Sequence, residues 1–251
     1  MGIVIDIYVV LIGLTIGSFL NVLIYRLPEK VTVSKGFSRC PACRHRLFWL
    51  DLIPVFSFMF LKGKCRYCKN PISPRYPLVE LLNAACYYLI YRLFGMQLQS
   101  LLFAVVCSCL IVTAMIDFDH KIILDRFNII IGLCALVLGF VTSDITWVER
   151  IIGFFAVSVP FLIIVLVTGG MGEGDVKLIA VCGLLLGWKS ILLTVLFASV
   201  TAALYGIMLM IKSNAKRKSQ IPFGPFIAFS VIICLLFGNR IINWYISLLL
   251  Y

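Results

Sequence analysis

Polar and charged residues in this chain gather into short stretches between long apolar runs. Leu93–Ile116, Ile151–Gly172 and Ser190–Ile211 carry no charge at all. Each is long enough to cross a hydrocarbon core of about 30 Å as a helix. Read end to end, the pattern predicts spans at about 3–24, 77–93, 98–116, 126–142, 151–168, 175–188, 190–211 and 221–238, with 239–251 a short tail. The expected fold is an all-α polytopic membrane protein of about eight transmembrane helices. A small cytoplasmic insert falls between the first and second helices, so the organisation reads as 1–25 first span, 26–76 insert and 77–251 helical core. No internal repeat and no low-complexity segment stands out.

Basic residues orient these spans. Lys and Arg collect in cytoplasmic loops. Residues 26–76 carry eleven of them, 117–126 two, 169–177 one and 212–219 four, whereas the opposite side holds only Arg92, Arg150, Lys189 and Arg240. The first span has no positive residue before it and Arg26 after it, which predicts a retained anchor with its N-terminus outside. The sixth span is the shortest. Fourteen residues cover about 21 Å, so its glycine-rich start is expected below the membrane surface or in a thinned bilayer.

Composition agrees. The chain has 251 residues, of which 62% are hydrophobic and 13% charged, and a mean hydropathy of +1.08. A soluble domain of this size cannot bury so much apolar surface. The formal net charge of +11 then reports topology and attraction to anionic lipid rather than a nucleic-acid partner.

The insert contains "CPAC" at 40–43 and "CRYC" at 65–68. Two Cys-x-x-Cys turns at this separation are the pattern of a four-thiolate zinc site formed by Cys40, Cys43, Cys65 and Cys68. A structural metal would stabilise an insert too small for a core of its own. Iron satisfies the same geometry, and disulfides do not suit the reducing side of a membrane. His45 follows the first pair, but four cysteines already complete a site. Cys86, Cys107, Cys109, Cys134, Cys182 and Cys234 fall within spans and read as buried small hydrophobes.

Acidic residues at membrane depth are few and therefore carry functional weight. Glu80 lies one turn into the second span. Asp117, Asp119 and Asp125 surround the turn "MIDFDHKIILD", and Glu173 and Asp175 lie in "GGMGEGDVK", residues 169–177, between apolar Leu162–Thr168 and Leu178–Trp188. The topology places Asp117 at the end of an inward helix and Asp175 at the start of an outward one, at one membrane face. Two close carboxylates share a proton, which provides one base and one acid for hydrolysing a peptide bond. Glycines beside them let backbone approach a substrate strand.

The stretches "GSFLNVLIYRLP" (17–28), the two cysteine pairs, "GKC" (63–65), "RYPLVELL" (75–82), "IDFDH" (116–120), "GEGDVKL" (172–178) and "PFGPFIA" (222–228) resemble, in order and over nearly the whole chain, the type IV prepilin peptidases. These are the leader peptidase/N-methyltransferases, a bacterial branch of the GxGD intramembrane aspartic proteases. The resemblance implies Asp117 and Asp175 as the catalytic pair, with Asp119 and Asp125 subsidiary. It implies type IV prepilin or pseudopilin substrates, whose short basic leader is cut after a glycine at the cytoplasmic face of the bacterial inner or plasma membrane. It also implies methylation of the new N-terminal amine with S-adenosylmethionine, for which Gly63, Glu80 and Asn83 are the candidates. Leu124 departs from the family, many of whose members have proline before the acid matching Asp125. A protease without methyl transfer, a zinc-containing membrane scaffold and a transporter are the rival readings. A transporter would show two similar halves, which are absent.

Overall fold

The computed structural model of the chain describes residues 2–33, 36–169, 172–213 and 222–249. Gly170 and Met171 of the glycine-rich stretch, and residues 214–218 of the basic run 212–218, lie outside them. Among the described residues the secondary structure is helical, without a strand, and the contacts divide the chain into two units, Met1–Met96 and Gln97–Tyr251.

In the first unit α1 (Gly2–Arg26) packs against α3 (Arg75–Phe94). Gly13 and Gly17 lie one turn apart on α1, so small residues line one stripe and the backbones close up. A Cβ on Gly13 would stand 2.6 Å from the Cα of Ala84, and one on Gly17 2.7 Å from the Cα of Glu80. The buried Asn83 amide donates to the Gly13 carbonyl (2.8 Å), and Asn21 donates to the carbonyl of Tyr76 (3.1 Å). The pairs 13 with 84, 17 with 80 and 21 with 76 make the two helices antiparallel. Between them lie a 3-10 turn at Trp49–Leu52, the short α2 (Phe56–Phe60) and the cysteine turns.

The second unit is built from α4 (Leu98–His120), α5 (Asp125–Val141), α6 (Trp147–Ala156), α7 (Ser158–Thr168), α8 (Glu173–Ser213) and α9 (Gly224–Leu249). α9 packs against both α4 and α8, and α5 also touches both. Five stretches are long and apolar enough to cross a membrane: α1, α4, the α6–α7 run, α8 and α9. The molecule is an all-helical polytopic membrane protein.

Several boundaries differ from the sequence pattern, each for a local reason. The run expected at 151–168 begins at Trp147, because Thr146 and Glu149 form a reciprocal capping box. It breaks at Val157, because the ring of Pro160 cannot tolerate a helical carbonyl four residues back, at Ala156. The sixth and seventh runs follow each other without a loop, their helical path interrupted only at Gly187 (φ 74°, ψ 169°). α9 continues through the expected tail to Leu249, where Ile241, Ile242 and Trp244 prolong the apolar surface and no proline intervenes. The six cysteines outside the insert are buried, as their apolar settings demand.

Candidate active site and metal centre

Asp117 lies in the last turn of α4, which ends at Lys121 in a left-handed conformation (φ 56°, ψ 38°). Asp175 lies in the first turn of α8 and donates its N–H to the carbonyl of Gly172 (3.1 Å). Both side chains are buried. One oxygen of Asp117 accepts the N–H of Gly224 at the start of α9 (3.0 Å). On Asp175, Oδ1 is buried with no hydrogen-bond partner, and the residue is near enough to Asp117 for the two carboxyl groups to interact electrostatically. Where two buried carboxyl groups feel each other's charge, a form with one ionised and one protonated is favoured over two ionised groups.

The glycines are explained by close approach. A Cβ on Gly174 would stand 2.8 Å from the Cβ of Ile123, so only glycine lets the first turn of α8 reach the segment joining α4 and α5. A Cβ on Gly224 would stand 2.6 Å from Oδ2 of Asp117 and drive the carboxylate aside. Gly172 is less constrained, since its Cβ would meet Asp175 at an ordinary 3.4 Å. Leu124, at the position where the resemblance leads to the expectation of proline, has φ −81° and ψ 122°, a backbone geometry that proline could also adopt. Asp125 pairs with Lys177 (3.0 Å), both partly exposed. Asp119 and Glu173 are exposed.

In the insert, the two cysteine turns repeat one hydrogen-bond scheme. Cys40 N–H donates to His45 O (3.0 Å) and Arg44 N–H to Cys40 O (2.9 Å); Cys65 N–H donates to Asn70 O (2.8 Å) and Lys69 N–H to Cys65 O (3.0 Å). Arg44 and Lys69 both take positive φ, 57° and 63°. The repeat is structural and leaves little sequence trace beyond the cysteines themselves. Sγ atoms of Cys40, Cys43, Cys65 and Cys68 all lie within 4.8 Å of one another, and those of Cys40 and Cys68 are 3.9 Å apart. Tetrahedral zinc with bonds of about 2.3 Å needs sulfurs about 3.8 Å apart, so the donor set fits a metal. N–H donors, that of Cys43 first, bring the Cys40 thiol down to about 7 against the opposing effect of burial, while the Cys68 thiol, hydrogen-bonded to the other sulfurs, is pushed up to about 11. The fit to a metal rests on the sulfur geometry. His45 stacks on Tyr67, with ring centroids 3.8 Å apart.

The remaining candidates engage protein. Glu80 accepts the N–H of Val55 (2.8 Å), Asn83 clamps α1, and Gly63 (φ 68°) closes the turn after α2 by donating to Phe58 O (2.8 Å). These contacts tie all three residues to protein groups of the first unit.

Two residues escaped the sequence reading. Gly224 stood within a recognised motif, but nothing in the sequence linked its N–H to Asp117. Arg150, counted as a loop charge, is buried and donates to the carbonyls of Leu184 and Leu185 (both 3.2 Å), next to the break at Gly187. The capping box at Thr146 was the signal that Arg150 lies inside a helix.

Comparison with known proteins joins these observations. Residues 11–94 match the bacterial peptidase A24 N-terminal domain and residues 104–207 match the type IV leader peptidase family. The chain is 33% identical to the prepilin leader peptidase/N-methyltransferase of Aeromonas salmonicida (96% of this chain, 94% of the relative). It is 33% identical to that of Pseudomonas aeruginosa (95% and 92%) and 34% identical to that of Bacillus subtilis (95% and 96%). No solved structure matches the chain. With Asp117 and Asp175 buried in the stretch the second model covers, and the cysteine cluster in the first, the chain belongs to the type IV leader peptidase family.

Proposed function

We propose that the protein removes the leader peptide from type IV prepilins or pseudopilins and methylates the amine so exposed. The observation that carries the reading is the buried carboxyl pair, Asp117 held by the Gly224 N–H and Asp175 with one oxygen unpartnered. The ionised carboxyl group takes a proton from water as the water oxygen bonds to the scissile carbonyl carbon. The protonated one gives its proton to the departing nitrogen, the C–N bond breaks, and a leader carboxylate and a free N-terminal amine result. S-adenosylmethionine would donate the methyl group that this amine receives.

The finer architecture belongs to the same reading. Counting α3, α5 and the two arms of α8 on either side of Gly187 as crossings, eight helices span the bacterial cell membrane with the insert and the aspartates towards the cytoplasm. Zinc, held by Cys40, Cys43, Cys65 and Cys68, fixes the insert. Membrane lipid is the surrounding partner, and nucleic acid has no part.

Cleavage without methylation is the second reading, favoured by the engagement of Glu80 and Asn83 with protein groups. One experiment tests both. Co-expression with a candidate prepilin, followed by the mass of the processed N-terminus, should show loss of the leader and gain of one methyl group. A cut but unmethylated product supports the second reading, and an uncut prepilin overturns both.

A further inference from the structure

The insert is polar and basic at its cysteine turns, but its middle is not. From Leu47 to Leu61 the only charge is Asp51. That carboxylate is enclosed, bonded to Arg66 (2.6 Å) and to the N–H of Phe48 (3.1 Å). Around it, large apolar side chains point outward: Phe60 is 84% exposed, Trp49 69% and Met59 66%. Flanking this stretch are Arg44 and Arg46 on one side and Lys62 and Lys64 on the other.

The position of the stretch along α1 gives the exposure its meaning. Trp49, Ile53 and Pro54 share an apolar cleft with Leu11, Leu14 and Thr15 of α1. Asn21 of α1 lies level with Tyr76, at the beginning of α3. Leu14 and Leu11 lie seven and ten residues further along α1, about 10 to 15 Å at 1.5 Å per residue. The apex of the insert therefore turns back alongside α1 to a depth comparable with half of a hydrocarbon core of about 30 Å.

Irregular backbone is tolerated at such depth only when its polar groups are satisfied within the protein. This stretch meets that condition at its sharpest point. Val55 has φ 61° and ψ −50°, the strained geometry of a tight three-residue turn and rare for a β-branched residue. Phe56 N–H closes the turn on Pro54 O (2.6 Å), Ser57 N–H reaches Ile53 O (3.1 Å) and Met59 N–H reaches Val55 O (3.0 Å). Val55 N–H, which has no backbone acceptor, is taken by the Glu80 carboxylate (2.8 Å). Buried Glu80 thus reaches from α3 to satisfy the donor that the turn leaves over.

We infer that residues 48–61 form a re-entrant segment embedded among lipid acyl chains beside α1, anchored by the Glu80 carboxylate and flanked by basic residues at headgroup level. A bilayer suits an outward apolar surface continuous with a membrane-spanning helix, and the flanking Arg and Lys side chains suit anionic headgroups.

The test uses the full chain in vesicles of phosphatidylethanolamine and phosphatidylglycerol, with the photoreactive residue p-benzoylphenylalanine introduced singly at Trp49, Phe60 or, as a control beyond the flanking basic residues, the exposed Asn70 of the second cysteine turn. After illumination, mass spectrometry should show the gain of one phospholipid at positions 49 and 60 and none at 70. Position 60 decides alone if the probe at 49 prevents folding. Adducts to a second copy of the chain or to added prepilin in place of lipid at position 60 would overturn the inference, as would the absence of any adduct there.

Discussion

Asp117 and Asp175 depend on neighbours that contribute no side chain. A methyl group at position 224 would fall 2.6 Å from the Asp117 oxygen, and a displacement of about 1 Å at a reacting group can cost 10²-fold in rate. Gly224→Ala should therefore lower leader cleavage by about that factor while the protein still accumulates in the membrane, measured as processed prepilin over time against protein abundance. Cleavage at the unmodified rate would show that Asp117 needs no such clearance. Asp117→Asn and Asp175→Asn should each reduce cleavage by about 10²- to 10⁴-fold, the range for losing a proton-transferring group. Asp125→Asn removes only a partly exposed ion pair with Lys177, worth at most about 1 kcal/mol, and should leave most activity. The aspartates were legible in the sequence because charge at membrane depth is scarce. Gly224 was not, because a backbone N–H carries no mark of its acceptor 107 residues away.

At the scale of elements, the packing of α6 on α8 rests on two glycines and one arginine. Gly153 and Gly183 bring the backbones together so closely that a Cβ on either would overlap the other helix. Arg150 then serves as a cap supplied from outside the helix, bonding carbonyls in the last turn of the first arm of α8 just before Gly187. Leaving buried carbonyls unpaired costs about 1–3 kcal/mol each. Arg150→Met should consequently lower the thermal unfolding midpoint in detergent by several degrees, whereas Arg240→Met, at an exposed position, should not. Equal midpoints would mean that other groups take over the carbonyls. Long apolar runs made the existence of these helices readable, since their composition admits no other state in a bilayer. Their breaks were harder. Pro160 and the Thr146–Glu149 box were visible signals, but the positive φ at Gly187 follows from how α6 packs there, which the sequence of α8 alone does not express.

For the whole molecule, two measurements reach beyond any single contact. The cysteine cluster, with its spacing already plain in the sequence, should hold one zinc per chain by elemental analysis of protein purified without chelators, and Cys40→Ser should reduce that content. Iron in its place would refute the choice of metal. The second measurement concerns orientation, which the helices themselves cannot supply because an apolar helix crosses equally well in either direction. Charge breaks that symmetry: eighteen basic residues fall in the segments assigned to the cytoplasm and four in the others, a bias that sets orientation. Arg150 is now known to be buried rather than in a loop, and setting it aside strengthens the imbalance. A reporter fused after Tyr76 should therefore register the cytoplasm, and one fused after Ser143 the exterior. An exterior signal from the first fusion would place the thiolates on the oxidising side, where a disulfide competes with metal. It would also remove the aspartates from the face at which the proposed cleavage takes place. If the second fusion reports the cytoplasm while the first does so too, the crossings counted between them, α3, α4 and α5, must number two rather than three, and the one to give up is α3 or α5, neither of which is among the five stretches long and apolar enough to cross.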